Sequence, residues 1–167
     1  MVEIYYSFVK KEKSKEMLKH ILKKYYSIES EILYTPQGKP YLEKGEKHFS
    51  VSHSGEMVIM AFSDSPVGID IELIKNREYK KISQKYFIEE ECKRISSLES
   101  FLVLWTKKES FLKYTGDGLA KIKDLVILDD IVFCGEKVKV NSFSELFDDY
   151  IFTLTTTEDV YEKYLLM

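Results

Sequence analysis

Trp105-Thr-Lys-Lys-Glu-Ser-Phe-Leu-Lys113 lies in a stretch that nothing prevents from being helical, since no Gly or Pro occurs between Ile74 and Tyr114. Phe101, Leu102, Trp105 and Leu112 recur at the three-to-four spacing of a helical face. Trp105, Glu109 and Lys113 stand four apart and share one stripe. The apolar pattern turns that stripe inward, yet it carries a carboxylate and an ammonium. A half-buried ion is costly unless a metal, a counter-charge or a ligand compensates it. The plainer alternative is a surface Glu–Lys pair worth ~0.2–0.5 kcal/mol beside an ordinary core tryptophan.

A second acidic stretch shifts the balance. Val67-Gly-Ile-Asp-Ile-Glu-Leu73 reads as a strand, and alternation along it puts Asp70 and Glu72 on one face and Val67, Ile69, Ile71 and Leu73 on the other. Adjacent carboxylates repel unless a cation sits between them. The alternative is a strand with one solvated polar face. With Glu109 added, three carboxylates plus Lys108 and Lys113 make a set suited to a metal-bound polyphosphate. Hard oxygen ligands in small number favour Mg²⁺ over Ca²⁺ or Zn²⁺.

Working outward, Phe49–Ser52 and Val58–Phe62 read as strands paired around Ser54-Gly55-Glu56. His53 lies at that strand end, where its imidazole and the Ser52 and Ser54 hydroxyls can donate to phosphate, or simply satisfy a turn. Gly38-Lys-Pro40 is a turn with one lysine. Val2–Val9 reads as a strand, and Ser14 as the cap of a helix whose apolar face is Met17, Leu18, Ile21, Leu22 and Tyr25. Ile32–Tyr34 is a short strand. Helices are expected over Lys80–Phe87, Glu89–Ile95 and Glu99–Tyr114, the last ended by Gly116 in a left-handed conformation. The tail (Ile122–Leu128, Ile131–Phe133, Val138–Val140, Tyr150–Thr156 and Val160–Leu166) reads as an antiparallel meander.

Composition limits the classes available. The 167 residues are 44% hydrophobic, with 12 Tyr and 10 Phe, enough for one substantial interior. The net charge of −3 carries no global basic field for nucleic acid. Residues 1–66 are slightly basic and the remainder acidic, with a local lysine cluster over Lys10–Lys24. Apolar runs such as Phe101–Trp105 are far short of the ~20 residues a membrane helix needs. Cys92 and Cys134 lack metal-ligand spacing, and His20, His48 and His53 form no zinc pattern. Two free thiols suit a reducing cytoplasm, and no membrane segment or secretion leader is expected.

In order, Gly38-Lys-Pro40, Val51-Ser-His-Ser54, Gly68-Ile-Asp-Ile-Glu72, Trp105–Lys113 and Gly116-Asp-Gly-Leu119 resemble the motifs of the 4′-phosphopantetheinyl transferase family, in particular its Sfp-type members. The resemblance covers Thr35 to Leu119, half the chain. It implies an α+β fold of two similar α/β lobes with pseudo-two-fold symmetry, here residues 1–67 and 68–167 within one structural unit, and a monomer. It implies an enzyme that moves the phosphopantetheine arm of coenzyme A onto a serine of an apo acyl or peptidyl carrier protein, releasing 3′,5′-ADP, with Mg²⁺ or Mn²⁺. Asp70, Glu72 and Glu109 would hold the metal, and Lys113 the pyrophosphate, with Lys108 nearby. Lys39, Ser52 and His53 would hold the nucleotide end. Glu91 falls where some members carry a glutamate regarded as the general base. Glu109, Glu91 and a metal-bound water remain open for that role. Two features depart from the family: only 37 residues precede Gly38, and the acidic Asp117 stands between two glycines where a basic residue is common. The competing readings are an idle CoA-binding module, a Mg²⁺-dependent CoA pyrophosphohydrolase and a structural scaffold.

Overall fold

Two sheets, one mixed and one antiparallel, meet edge to edge through a row of serines, and that seam positions the acidic strand. The computed structural model describes residues 1–166; residue 167, the end of the expected C-terminal lobe, lies outside the described residues. The chain runs β1 (Val2–Phe8), α1 (Ser14–Tyr26), β2 (Ile32–Tyr34), β3 (Pro40–Leu42), β4 (His48–Ser54), β5 (Met57–Ser63) and β6 (Val67–Leu73). It continues through α2 (Tyr79–Tyr86), α3 (Glu89–Lys93) and α4 (Leu98–Thr115), then β7 (Leu125–Ile127), β8 (Ile131–Phe133), β9 (Glu136–Val138), β10 (Asn141–Phe147), β11 (Tyr150–Thr156) and β12 (Tyr161–Leu165). This is a mixed α+β fold.

The first sheet has the order β12-β1-β5-β4 and the second β10-β11-β6. Strands β4 and β5 form a hairpin closed at Gly55-Glu56, with Ser54 opposite Met57 and Gly55 at φ 56°. A cluster of Val2, Ile4, Ile59, Ile69, Ile71, Phe152 and Leu154 joins the two sheets. Helix α1 covers the first sheet through Leu18, Ile21 and Leu22, packed with Tyr5, Val58, Met60 and Phe62.

Serines make the seam because β4 and β6 do not pair through their backbones. Ser50, Ser52 and Ser54 alternate on β4 and share one face. Their hydroxyls accept from the N–H groups of Ile69 (3.0 Å), Ile71 (3.3 Å) and Leu73 (3.0 Å). Those are the N–H groups on the edge of β6 turned away from β11, which would otherwise be buried without partners.

Helix α4 lies on β6 and β11 at unusually close range. A Cβ at Gly68 would come within 1.9 Å of the Ser110 carbonyl oxygen and 2.4 Å of the Tyr114 nitrogen, so only glycine admits the helix there. Small hydroxyl residues extend the contact: Thr106 bonds Thr153 at 2.7 Å and Ser110 bonds Thr155 at 2.8 Å. The opposite side of α4 is buried against Phe87, Ile122, Leu125 and Ile127. Ser97 caps its start by accepting from the Ser100 N–H, and Gly116 at φ 87° ends it, its N–H donating to Leu112.

The structure corrects two expectations. The stripe of Trp105, Glu109 and Lys113 is the partly exposed flank of α4, not its buried face, which runs through Leu102, Thr106 and Ser110 on one side and Phe101, Lys108 and Phe111 on the other. A helix buried on two sides leaves only its flanks near solvent. Nor does the tail form one meander. Strands β7, β8 and β9 do, and β10 and β11 form a hairpin, but β12 crosses back to pair parallel with β1, Val2 opposite Tyr161. The chain therefore recrosses the boundary expected near residue 67.

Candidate active site

Lys113 on α4 reaches Asp70 on β6, with Nζ 2.7 Å from Oδ1. The same carboxylate oxygen accepts from the Ser52 hydroxyl at 2.8 Å, so the seam that holds β6 also orients Asp70. Its other oxygen, Oδ2, is buried and has no hydrogen-bond partner. Glu72, two positions along, pairs with Arg77 at 3.0 Å and accepts a long 3.4 Å contact from Ser54. Arg77 also donates to the Leu73 carbonyl. No motif singled it out beforehand; its only trace in the sequence is a lone arginine five residues after Glu72.

Glu109 completes the acidic group from the helix. Burial and then the neighbouring charge of Asp70 push its carboxyl up to about 7, with Glu72 adding to the shift and the Lys113 ammonium opposing it. Withdrawal from water is the main cause, and two neighbouring carboxylates against one lysine act in the same direction. Among the described residues, no three His, Cys, Asp or Glu side chains converge into a ready-formed metal site; Lys113 and Arg77 draw Asp70 and Glu72 to themselves. The donor chemistry still fits a hard divalent cation: all oxygen, in carboxylate excess, with one buried oxygen unpartnered.

A cleft of about 290 Å³ opens beside this group. Its walls include Gly38, Lys39, Pro40, Glu109, Lys113 and Asp117. Lys39 crosses it to donate to the Tyr114 carbonyl at 3.0 Å, and burial pulls its ammonium below the usual lysine range. Asp117 faces the cleft, which the sequence left undecided. Gly116 beside it has φ 87°, a left-handed backbone that favours glycine, and the Lys39 stem packs at ordinary contact distance from that position.

The other expected site residues lie differently. Ser52 is buried and spends its hydroxyl on Asp70 and Ile71, so its part in the site runs through Asp70. His53 is exposed on the opposite face of β4 from Ser52. Lys108 and Glu91 are each wholly buried and pair with one another at 2.8 Å, on the far side of α4 from the cleft. The sequence placed Lys108 by position next to Glu109, but successive helical residues point about 100° apart. Hence Lys108 enters the core while Glu109 meets the cleft.

Residues 66–165 match the model of the 4′-phosphopantetheinyl transferase superfamily. The match takes in more than half of the chain, which belongs to that superfamily. Over 114 residues it is 33% identical to the 4′-phosphopantetheinyl transferase Sfp of Bacillus subtilis (strain 168), covering 62% of this chain and 50% of that one. It is 35% identical over 114 residues to the 4′-phosphopantetheinyl transferase psf-1 of Bacillus pumilus, covering 62% and 48%. Against the 4′-phosphopantetheinyl transferase gsp of Aneurinibacillus migulanus it is 42% identical over 88 residues, covering 49% and 36%. The chain spans half or less of the length of these relatives. No helix among the described residues is long and apolar enough to cross a membrane.

Proposed function

We propose that this chain transfers the phosphopantetheine arm of coenzyme A to a serine of an apo acyl or peptidyl carrier protein, releasing 3′,5′-ADP. One observation carries the reading: Asp70 keeps a buried, unpartnered oxygen beside a Glu109 that stays protonated to about 7, above a cleft flanked by Lys39 and Lys113. That charge pattern suits a divalent cation together with a diphosphate. Asp70, Glu72 and Glu109 would hold Mg²⁺ or Mn²⁺, which when bound would offset charge developing on the diphosphate and its leaving group.

The chain's own residues do the rest. Lys113 and Lys39 bring positive charge to the cleft, suited to the diphosphate and to the phosphates of the nucleotide end. The serine oxygen of the carrier bonds to the phosphorus bearing the pantetheine arm, and the bond from that phosphorus to the 3′,5′-ADP oxygen breaks. Positioning the two reactants in line supplies much of the rate. Glu109 is the glutamate lining the cleft, which puts a carboxylate where the carrier serine would enter and makes it the side chain placed to receive the serine proton.

The wider reading has its own support. A strand, a helix and a hairpin occur in the order β1-α1-β4-β5 and again as β6-α4-β10-β11, with the last strand central in each run. That repetition supports two pseudo-symmetric lobes, the first ending near residue 67, and a site formed within one monomer. The free thiols Cys92 and Cys134 agree with a cytoplasmic setting.

The test is intact-mass analysis of a panel of apo carriers mixed with the protein, coenzyme A and Mg²⁺. The expected result is a carrier heavier by one phosphopantetheine arm. Coenzyme A binding without any mass gain would favour an idle module, and cleavage of coenzyme A with no carrier present would favour a pyrophosphohydrolase.

A further inference from the structure

The wholly buried pair on the far side of α4 is connected in a way that no ligand is needed to explain. Glu91 Oε1 accepts from the Ile127 N–H at 2.8 Å, and Oε2 accepts from the Ile88 N–H at 3.1 Å. Lys108 Nζ lies 2.8 Å from Glu91 and donates to the Leu125 carbonyl at 2.6 Å. The Phe87 ring closes over the ammonium, 4.8 Å from its centroid. Both carboxylate oxygens and the ammonium thus have partners, and all of them come from the protein's own core. Three segments meet here: the start of α3, strand β7 and the middle of α4.

We propose that Glu91 and Lys108 are positioning residues, a buried clamp that sets the rotation of α4 so that Glu109 faces Asp70, and that Glu91 takes no proton in the reaction. This rests on the transferase reading above. The link is geometric. Lys108 and Glu109 are consecutive on one helix, so tethering the first to Glu91 and Leu125 fixes the direction of the second, about 100° around the axis. Gly68 holds the other side of α4 at close range. The helix is held between these two contacts, and Glu109 is directed from the flank they leave free. A proton acceptor must come within hydrogen-bond reach of the hydroxyl it serves. Glu91 is 0% exposed and no part of the cleft wall, whereas Glu109 is part of it.

A buried ion pair that serves only as a clamp can be replaced by a neutral pair of similar shape, while removal of one partner strands the other charge. Glu91→Gln alone and Lys108→Met alone should each lower the melting temperature of the metal-free protein by roughly 6–20 °C. Each should also weaken Mn²⁺ binding in the presence of coenzyme A, and slow transfer, by about 10–100-fold, the usual cost of losing a group that orients a ligand. The double variant Glu91→Gln/Lys108→Met, whose amide oxygen can still accept one of the two backbone N–H groups, should regain part of the lost melting temperature and Mn²⁺ affinity, with transfer within about tenfold of the parent, a loss at the mild end of that range, and an unchanged acid limb of the pH–rate profile. A double variant no better than Glu91→Gln alone in melting temperature or in transfer overturns the proposal. The unsubstituted protein offers a second measurement, labelling with a carbodiimide and glycine ethyl ester. Glu91 should stay unlabelled with or without coenzyme A; labelling that coenzyme A blocks would place Glu91 at the substrate and equally overturn the proposal. Absence of transfer by the parent protein would refute the transferase reading, while the melting, Mn²⁺ and labelling results would still decide the clamp.

Discussion

Lys113 Nζ sits 2.7 Å from one oxygen of Asp70, and the other oxygen of the same carboxylate is buried with nothing to bond. A helix lysine and a strand aspartate thus form a half-completed site, with charge neutralised on one side and left open on the other. The proposed chemistry grows from that asymmetry.

Lys113→Ala removes the neutralised side. Coenzyme A affinity should fall by at least tenfold, in line with the loss of one charge-assisted phosphate contact worth about 1.5–3 kcal/mol. Isothermal titration would show it, and an unchanged affinity would count against any role for Lys113 at the diphosphate.

Asp70→Ala and Glu109→Ala should each reduce transfer by two orders of magnitude or more while the circular-dichroism spectrum stays that of the parent. The readout is the rate at which a carrier gains mass. Parental rates in both variants would remove the acidic group from the mechanism.

Glu109 makes stability depend on pH in a defined direction. Its carboxyl is raised in the folded chain from 4.5 to about 7. Between those values the folded state holds a proton that the unfolded state has released, so unfolding becomes easier as pH rises. The stabilising contribution is complete below about 4.5 and gone above about 7. Urea unfolding without divalent ions should show that decline, and Glu109→Gln should flatten it. Mg²⁺ added at pH 8 should restore stability to the parent and not to the variant. A parent profile flat from pH 4.5 to 7.5 would contradict the shifted carboxyl.

Gly68→Ala forces a Cβ to within 1.9 Å of a backbone oxygen of α4, where no side chain can swing aside. The helix must move off β6, at a cost of about 1–3 kcal/mol or more. Thermal melting should register the loss, and coenzyme A binding should weaken with it because Lys113 and Glu109 travel with the helix. A melting temperature equal to the parent's would mean that α4 does not rest on β6 at that point.

Ser52→Ala breaks two bonds at once, one from its hydroxyl to Asp70 and one that it accepts from Ile71. A cost of about 1–3 kcal/mol is expected for buried groups left unsatisfied. Urea unfolding measures it, and a change under 0.5 kcal/mol would mean that the seam does not depend on this serine.

Much of the fold was legible along the chain because its signals are local. Strands Ile32–Tyr34, Val67–Leu73 and Tyr150–Thr156 have the bounds expected from β-branched and aromatic runs, and Gly116 ends α4 in the left-handed conformation foreseen for it. Strand β10 went unseen because Asn141, Ser142, Ser144 and Glu145 dilute its pattern; β11 pairs with it throughout. Strand β12 was recognised, but no local pattern tells a strand which sheet to join.

Sequence by itself determined the residue types and spacings: two carboxylates on one face of a strand, a carboxylate and a lysine four apart on a helix, and the family motifs that contain them. Only tertiary structure decided which of these meet. It put Lys113 on Asp70, gave Ser52 to Asp70 in place of a phosphate, and turned Lys108 into the core with Glu91. The reason is physical: periodicity assigns a side chain to a face of its own element, whereas its partner is set by how closely two elements pack, and here that distance is set by a glycine and a row of hydroxyls.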